Sequence, residues 1–254
     1  MIIYATLLVC ALLAGVLVYR YDLYDREPVL LLLVVAAVGG ALMYIAGWVQ
    51  VMVLSSMGTL AAQNFNLWAA LAAAVTEETA KVLAVVFVAG VFRRHFNDPM
   101  DGLIYGSLAG VGCAVEEAVG VLLRDGGAMA PGEAPVRIMG HLVMGGIGGF
   151  ALGLPLARPR PKMWAMAVVG SLGTAAALHM LWDLIAFDAR DLGRMMPGHQ
   201  AGAVALMLAG MVIYGGMVVA ASGMSRRTLD PASRRRLLGW PFVRDGGGSV
   251  PDAR

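Results

Sequence analysis

Charged residues are scarce in this sequence. Asp, Glu, Lys and Arg make up 14% of its 254 residues, whereas a soluble domain carries about 25%. Hydrophobic residues make up 59%, and the mean hydropathy is +0.74. A chain with so few polar side chains cannot cover a water-exposed surface. The composition therefore excludes an ordinary soluble domain and predicts a polytopic membrane protein.

Cysteine is nearly absent, and several common catalytic motifs are missing. Cys10 and Cys113 both fall in apolar stretches, so they predict neither a disulfide nor a Cys-x-x-Cys metal site. The sequence has no Gly-x-Ser-x-Gly and no His-Glu-x-x-His, which argues against serine hydrolases and zincins. The intramembrane aspartates, Asp101 and Asp183, are predicted near opposite membrane faces, which argues against a paired-aspartate protease. No folded nucleic-acid-binding module is visible.

Long apolar runs are what the sequence has in abundance. Each run reaches or nears the roughly 20 residues that a helix needs to cross a bilayer, and backbone in lipid must be helical to satisfy its polar groups. The N-terminus lacks a basic n-region, so we interpret the first run as a retained span. We predict an all-α bundle of about seven transmembrane helices, at residues 2–19, 29–54, 67–92, 100–123, 138–156, 163–187 and 201–221.

Lys and Arg are distributed unevenly between the connections of this bundle. The first, third and fifth connections and the tail together hold 14 of the 19, the other connections hold four, and Lys81 is intramembrane. The positive-inside rule then places the N-terminus outside and the C-terminus in the cytoplasm. We predict a transmembrane helical domain at 1–221 and a basic, flexible cytoplasmic tail at 222–254 that contacts anionic lipid.

Three charges interrupt the third apolar run. Glu77, Glu78 and Lys81 stand in "AAAVTEETAKVLAVVF", residues 72–87. An ionised side chain at the bilayer centre costs about 2.5–3.5 kcal/mol on the insertion scale, so such groups must be paired or hydrated. Lys81 is one turn from both glutamates and can neutralise one of them. Small residues share the face of Glu77, whereas the face of Glu78 is more lipid-like. We therefore expect Glu77 in a site and Glu78 at its margin.

Polar residues of three further runs are predicted at a similar depth. Glu116 and Glu117, His141 and His179 all fall between the bilayer centre and the outer surface, at about 1.5 Å per helical residue. Interhelical hydrogen bonds are typically worth about 0.6 kcal/mol each, which is too little to account for so many buried acids. We therefore predict one site built by four helices.

Glycines at four-residue spacing mark the fourth and fifth runs. Such spacing lets two helices approach closely. The fourth run carries Gly102, Gly106 and Gly110, and the fifth carries Gly145, Gly149 and Gly153. We expect two tightly packed helices with Glu117 and His141 at one end.

The chain resembles the PrsW family of intramembrane proteases and, more distantly, the CAAX prenyl endopeptidase and bacteriocin-processing superfamily. The resemblance is carried, in order and in spacing, by "EETAK" (77–81), "DPMDGLIYG" (98–106), "GVGCAVEE" (110–117), "GHLVMGGIGGFALG" (140–153) and "LHMLWD" (178–183). Asp183 stands where the family usually has asparagine. Asp101 matches a family motif, but its place near a helix start predicts a capping role outside the site.

The resemblance implies an integral protein of the bacterial cytoplasmic membrane that cuts a membrane-protein substrate near the outer face. It implies an anti-sigma factor or another single-span regulator as the substrate, the lipid bilayer as surroundings and no nucleic-acid partner. The implied catalytic residues are Glu77, Glu78, Glu117, His141 and His179. To these we add Lys81, Glu116 and Asp183 as supporting residues, of which Glu116 is an extra acid relative to the family pattern.

Two versions of the chemistry fit these residues. Peptide hydrolysis needs an activated water, a group that stabilises the oxyanion and an acid for the leaving amine. In one version Glu77 accepts the water's proton, and His141 or His179 assists. In the other, His141, His179 and either Glu117 or Asp183 bind zinc, and Glu77 is the base. The metal-free version has slightly more weight, and the sequence leaves both open.

Two other classes of function are compatible with acids and histidines inside a bundle. An ion- or proton-coupled transporter also places them there, although the seven runs show no repeated halves. A seven-span zinc lipid amidase of the ceramidase type is the second alternative, because His179-x-x-x-Asp183 is weakly similar to a motif of that class.

Overall fold

The protein is all-α, as predicted. The computed structural model describes residues 2–21, 26–124, 133–157 and 161–228, and all regular secondary structure within these ranges is helical. The helices are α1 (Ile2–Tyr21), α2 (Val29–Met57), α3 (Thr59–Gln63), α4 (Phe65–Val91), α5 (Pro99–Arg124), α6 (Glu133–Ala157), α7 (Pro161–Asp191) and α8 (Pro197–Thr228).

The chain is a polytopic helical membrane protein. Within the described ranges, five helical segments are long and apolar enough to span a membrane: Val29–Met57, Pro99–Leu123, Glu133–Leu156, Lys162–Asp191 and Pro197–Arg226. α1 contributes a shorter apolar segment, Tyr4–Arg20. α4 has 27 residues, but every 18-residue window within it contains Glu77, Glu78 and Lys81. The outer surface of the bundle suits lipid, since Leu30, for example, is 74% exposed. The total of seven spans stays a prediction.

Helices α5 and α6 lie at the centre of the bundle and touch through the predicted glycines. A Cβ at Gly106 would collide with the backbone carbonyl of Gly145, and a Cβ at Gly110 would collide with that of His141. At Gly102 an added Cβ would lie 2.6 Å from the carbonyl oxygen of Gly149. Only glycine permits backbones to approach this closely. The predicted close packing of the two helices is confirmed.

The start of α5 is fixed by two aspartates. Asp98 Oδ1 accepts a hydrogen bond from the Met100 backbone N–H at 2.6 Å. Asp101 Oδ2 accepts the backbone N–H groups of Asn97 and Asp98, each at 2.8 Å. These reciprocal bonds resemble a capping box, and Pro99 occupies the favoured first position of the helix. The predicted capping role of Asp101 is confirmed.

Contacts between distant segments define the two ends of the bundle. His95 Nδ1 lies 3.2 Å from Glu27 Oε2, and Ser225 Oγ donates to Asp98 Oδ1. The start of α2, the α4–α5 connection and the end of α8 therefore share one end. The opposite end, called the site end below, carries the C-termini of α5 and α7 and the N-termini of α6 and α8. The flexible tail was predicted to begin at residue 222, but α8 continues to Thr228, so its first seven residues are helical. Residues 229–254 of the predicted tail lie outside the described residues.

Candidate active site

The two adjacent glutamates of α4 both point into the protein. Glu77 is 6% exposed and Glu78 is 1% exposed, so the expectation that the face of Glu78 is turned toward lipid was wrong. α4 packs against α2, α5, α6 and α7, which covers two neighbouring positions of the helix instead of one stripe. Val85, on the Glu78 face, is fully buried, whereas Val75 on the same face is 50% exposed. The apolar character of that face was a poor guide because protein, as well as lipid, covers it.

Glu78 joins a buried charge cluster. Its Oε1 lies 2.5 Å from Lys81 Nζ and 2.7 Å from His179 Nδ1. The predicted neutralisation of one glutamate by Lys81 is confirmed, and Glu78 is that glutamate. With both partners bound to one oxygen, Glu78 fixes the ring of His179 and compensates the buried ammonium.

Glu77 is held in a different way. Gln50 of α2 donates from Nε2 to Glu77 Oε1 at 3.1 Å. The other oxygen, Oε2, lies 3.6 Å from His179 Nε2 and is buried with no hydrogen-bond partner among the described residues. Gln50 was missed by the sequence analysis. The sequence did contain a signal for Gln50, since it is the lone amide side chain within the apolar run 29–54.

His141 is positioned by an acid and an arginine. Its Nε2 lies 3.0 Å from Glu117 Oε2, and Glu117 Oε1 is paired with Arg137. Arg137 also donates to Glu133 Oε1 at 2.8 Å. His141 Nδ1 is buried with no hydrogen-bond partner in the described part of the chain. Arg137 therefore acts through Glu117 to fix the ring of His141, a link that no sequence motif indicated.

Asp183 completes the group from α7. Its Oδ2 lies 3.6 Å from His179 Nε2, and its side chain is 18% exposed. The structure thus brings together seven of the eight predicted residues: Glu77, Glu78, Lys81, Glu117, His141, His179 and Asp183.

Glu116 is the eighth residue and faces another helix. A Cβ placed on Gly40 of α2 would lie 3.8 Å from the Cβ of Glu116. Neighbouring helical residues point about 100° apart, so Glu116 turns toward α2 while Glu117 turns toward His141. The supporting role of Glu116 stays a prediction.

Comparison with known proteins identifies the family. Residues 27–217 match the model of the PrsW family intramembrane metalloproteases. The chain belongs to the PrsW family. It is 28% identical to Protease PrsW of Geobacillus kaustophilus (strain HTA426) over 150 residues, which are 58% of this chain and 65% of that protein. The chain thus spans a little less than two thirds of the length of this curated relative. No solved structure matches the chain.

The PrsW family is described as metalloproteases, and the donors in this site fit a metal ion. One ligand atom from each of Glu77, His141 and His179 lies within 4.8 Å of the others. Two histidines and a glutamate are a common donor set for catalytic zinc. Glu77 Oε2 and His141 Nδ1 are among the buried atoms that lack a hydrogen bond in the described part of the chain, as is Oε2 of the neighbouring Glu78. Such atoms call for a partner from outside the protein.

Carboxylates behind the histidines strengthen this fit. Glu78 contacts Nδ1 of His179, and Glu117 contacts Nε2 of His141. Histidines that bind zinc commonly have such a carboxylate on the ring nitrogen that does not bind the metal. This set differs from the ligands predicted from the sequence, which paired the histidines with Glu117 or Asp183. Glu117 contacts Nε2 of His141. The carboxylate that lies within 4.8 Å of a ligand atom of both histidines is that of Glu77.

A cavity opens onto the cluster of acids and histidines. It has a volume of about 740 Å³ and lies between α6, α7 and α8 at the site end; we call it the α6–α8 groove. Its polar lining residues are Glu117, Glu133, Arg137, His141, His179, Asp183 and, on α8, Gln200. The remaining walls are mainly apolar and include Met144, Leu178, Trp182 and Met207. The groove gives a substrate access to both histidines.

Proposed function

We propose that the chain is an intramembrane endopeptidase that cuts a membrane-protein substrate near the outer face of the membrane. The observation that supports this best is the meeting of Glu77, His141 and His179 beside the α6–α8 groove. Ionisable groups inside a membrane bundle are costly and typically functional. A hydrolytic site that opens to a groove uses all three groups, whereas a packing role uses none of their chemistry.

The metal-free version of the chemistry relies on Glu77. Its Oε2 accepts the proton of the attacking water, while Gln50 holds Oε1 and keeps the carboxylate oriented. His179 Nε2, 3.6 Å from Glu77 Oε2, carries the proton toward the leaving amine. Glu78 and Lys81 fix the ring of His179 throughout.

The zinc version assigns Glu77, His141 and His179 as the ligands. Bound zinc would supply an acidified water and polarise the scissile carbonyl. Asp183, whose Oδ2 lies 3.6 Å from His179 Nε2 on the groove side, would hold a proton there and pass it to the leaving amine. Glu117 and Glu78 hold the two imidazoles in place.

The substrate assignment rests on family membership and on orientation. Arginine and lysine are concentrated at the end opposite the site, so the positive-inside rule turns the site end outward. Like the family's implied substrates, the target is a single-span regulator, for example an anti-sigma factor, in the bacterial cytoplasmic membrane.

A comparison of protein termini tests the proposal. New N- and C-termini of membrane proteins are measured by peptide mass spectrometry in cells carrying the wild type, Glu77→Gln or Asp191→Asn at matched abundance. Asp191 is the control because it is an acid at the site end that bonds Asn66, outside the site. We expect termini near outer membrane boundaries with the wild type and Asp191→Asn, and none with Glu77→Gln.

Identical termini in all three strains, with every protein folded and abundant, would reject an endopeptidase. Fatty acid release from an amide lipid, lost on chelation, would then favour the lipid amidase. Solute uptake into proteoliposomes that requires Glu77 would favour the transporter.

A further inference from the structure

The exposed face of α4 changes from apolar to basic at the end of the bundle opposite the candidate active site. Its apolar part, called the α4 stripe below, consists of exposed residues at helical spacing: Leu83, Val86, Phe87, Gly90 and Val91. The chain then turns, with a hydrogen bond from the His95 backbone N–H to the Phe92 carbonyl at 2.9 Å. This turn presents Arg93 and Arg94. A change from apolar to basic residues at a helix end is typical of the boundary between hydrocarbon and headgroups.

A second cavity lies at this turn. Its lining residues are consecutive: Val91, Phe92, Arg93, Arg94 and His95. Both arginines are exposed, and neither forms an ion pair with an acid in the described part of the chain. The cavity therefore carries two guanidinium groups whose charge the described residues do not neutralise.

The polar groups of this cavity are available to an anion. Arg93 donates from Nε to the Gly90 carbonyl at 3.2 Å, which orients its guanidinium and leaves both terminal nitrogens to donate elsewhere. The guanidinium of Arg94 has no hydrogen-bond partner among the described residues. His95 Nδ1 lies 3.2 Å from Glu27 Oε2, so Nε2 is the ring nitrogen left for a ligand. Guanidinium groups bind phosphate through paired, charge-assisted hydrogen bonds. The cavity thus has the chemistry of a phosphate site.

The α4 stripe indicates which phosphate compound fits. It runs directly into the turn, and nothing lies within 4 Å of a Cβ added at Gly90. Phe87 and Val91 are 56% and 59% exposed, so an acyl chain beside them covers apolar surface that a free phosphate leaves bare. A phospholipid uses both the stripe and the arginines. A headgroup with a net negative charge also compensates the second arginine.

We propose that the turn at 92–95 binds one anionic phospholipid. Its phosphate lies on Arg93 and Arg94, and one acyl chain lies along the α4 stripe. The site is at the opposite end of the bundle from the cluster of acids and histidines, and the inference does not depend on the proposed peptidase function.

Native mass spectrometry of the full-length protein tests this inference. The purified wild type in detergent is titrated with phosphatidylglycerol or with phosphatidylcholine of the same acyl chains, and the dissociation constant of the first bound lipid is measured. We expect phosphatidylglycerol to bind at least about tenfold more tightly. In Arg93→Gln/Arg94→Gln its affinity should fall at least about tenfold, because hydrogen bonds between charged groups have effects of that size.

The matched control is Arg226→Gln/Arg227→Gln. It removes two positive charges at the end of α8, on the same side of the bundle, and should bind phosphatidylglycerol as the wild type does. Equal affinity of the wild type for the two lipids, or equal losses in the two double variants, overturns the inference, since either result indicates general attraction to a basic surface. If the first double variant does not fold, Arg94→Gln replaces it.

A second pair of variants tests the acyl chain. Gly90→Leu fills the α4 stripe beside the turn and changes no charge. Gly170→Leu in α7 is its control, because nothing lies within 4 Å of an added Cβ at either position. We expect weaker binding of phosphatidylglycerol in Gly90→Leu alone. Unchanged affinity in the folded Gly90→Leu variant contradicts the lipid site.

Competition separates a lipid headgroup from a free phosphate as the ligand. Inorganic phosphate at millimolar concentration should leave phosphatidylglycerol bound to the wild type, because the acyl chain adds contacts that phosphate lacks. Displacement of the lipid by inorganic phosphate overturns the inference and indicates a site for a small anion.

Discussion

Adjacent side chains in this site have different partners and therefore different roles. Both glutamates keep Oε2 buried without a hydrogen bond among the described residues. Glu78 shares its Oε1 between Lys81 and His179, whereas Glu77 is the one that has an oxygen within 4.8 Å of a ligand atom of both histidines. A carboxylate that is paired with an ammonium group is a weaker base and a poorer ligand. Glu77 is therefore the member of the pair that is suited to bind water or metal, and Glu78 positions His179.

The zinc version predicts that replacing a metal ligand and replacing a residue that only positions a ligand have different effects on zinc binding. We expect about one zinc per wild-type chain and loss of it in Glu77→Gln and His141→Gln. In Glu117→Gln we expect zinc to be retained with about 10- to 100-fold weaker affinity, since outer partners of ligands have effects of that size. The measurement is metal content and competition with a chelator on purified protein.

Asp191→Asn, outside the site, is the matched control and should bind zinc as the wild type does. Full peptidase activity in protein stripped of metal would contradict the zinc version and would favour the metal-free version, in which Glu77 is the base. Equal loss of zinc in Glu77→Gln and Glu117→Gln would contradict the division into ligand and support.

At the scale of helices, the α5–α6 contact sets the position of His141. Gly110 meets the backbone carbonyl of His141 directly, so any separation of the two helices moves the imidazole away from Glu117. A shift of about 1 Å in a catalytic group can cost about 100-fold in rate. We therefore expect packing at the glycines to be coupled to activity.

Alanine at the helix contact tests this coupling. In Gly106→Ala the new Cβ collides with the carbonyl of Gly145, and overpacking of this kind costs about 1–3 kcal/mol. We expect a lower unfolding temperature in detergent and a lower rate of substrate cleavage. Gly173→Ala in α7 is the control, because nothing lies within 4 Å of its added Cβ. Equal effects of the two substitutions would contradict the coupling.

The sequence predicted which helices meet but less well how side chains turn between them. Glycine spacing identified the α5–α6 contact, and the depth of the polar residues identified which helices form the cluster. The orientation of Glu78 was predicted wrongly, because hydropathy cannot tell a protein-covered apolar face from a lipid-covered one. The link from Arg137 through Glu117 to His141 was also missed, since it depends on the register between α5 and α6.

At the scale of the whole molecule, contacts at one end of the bundle support one orientation of the protein in the membrane. The contacts of Glu27 with His95 and of Asp98 with Ser225 place the arginine-rich first and third connections beside the end of α8. The acids and histidines of the site lie toward the other end. The positive-inside rule then predicts that the α6–α8 groove opens outward.

Cysteine labelling tests this orientation. In a background without Cys10 and Cys113, Arg190→Cys at the site end should react with a membrane-impermeant maleimide in intact cells. Ser249→Cys in the tail should react only after the membrane is permeabilised. The reverse pattern would contradict the orientation and would place the site on the cytoplasmic side.

The order of the helices along the chain has a consequence for biosynthesis. Every histidine and acid of the cluster comes from α4 to α7, whereas one wall of the groove comes from α8, the last helix. A nascent chain therefore acquires its reactive groups before it acquires the wall that restricts access to them. Membrane insertion of α8 is therefore the step that encloses the cluster and completes the groove.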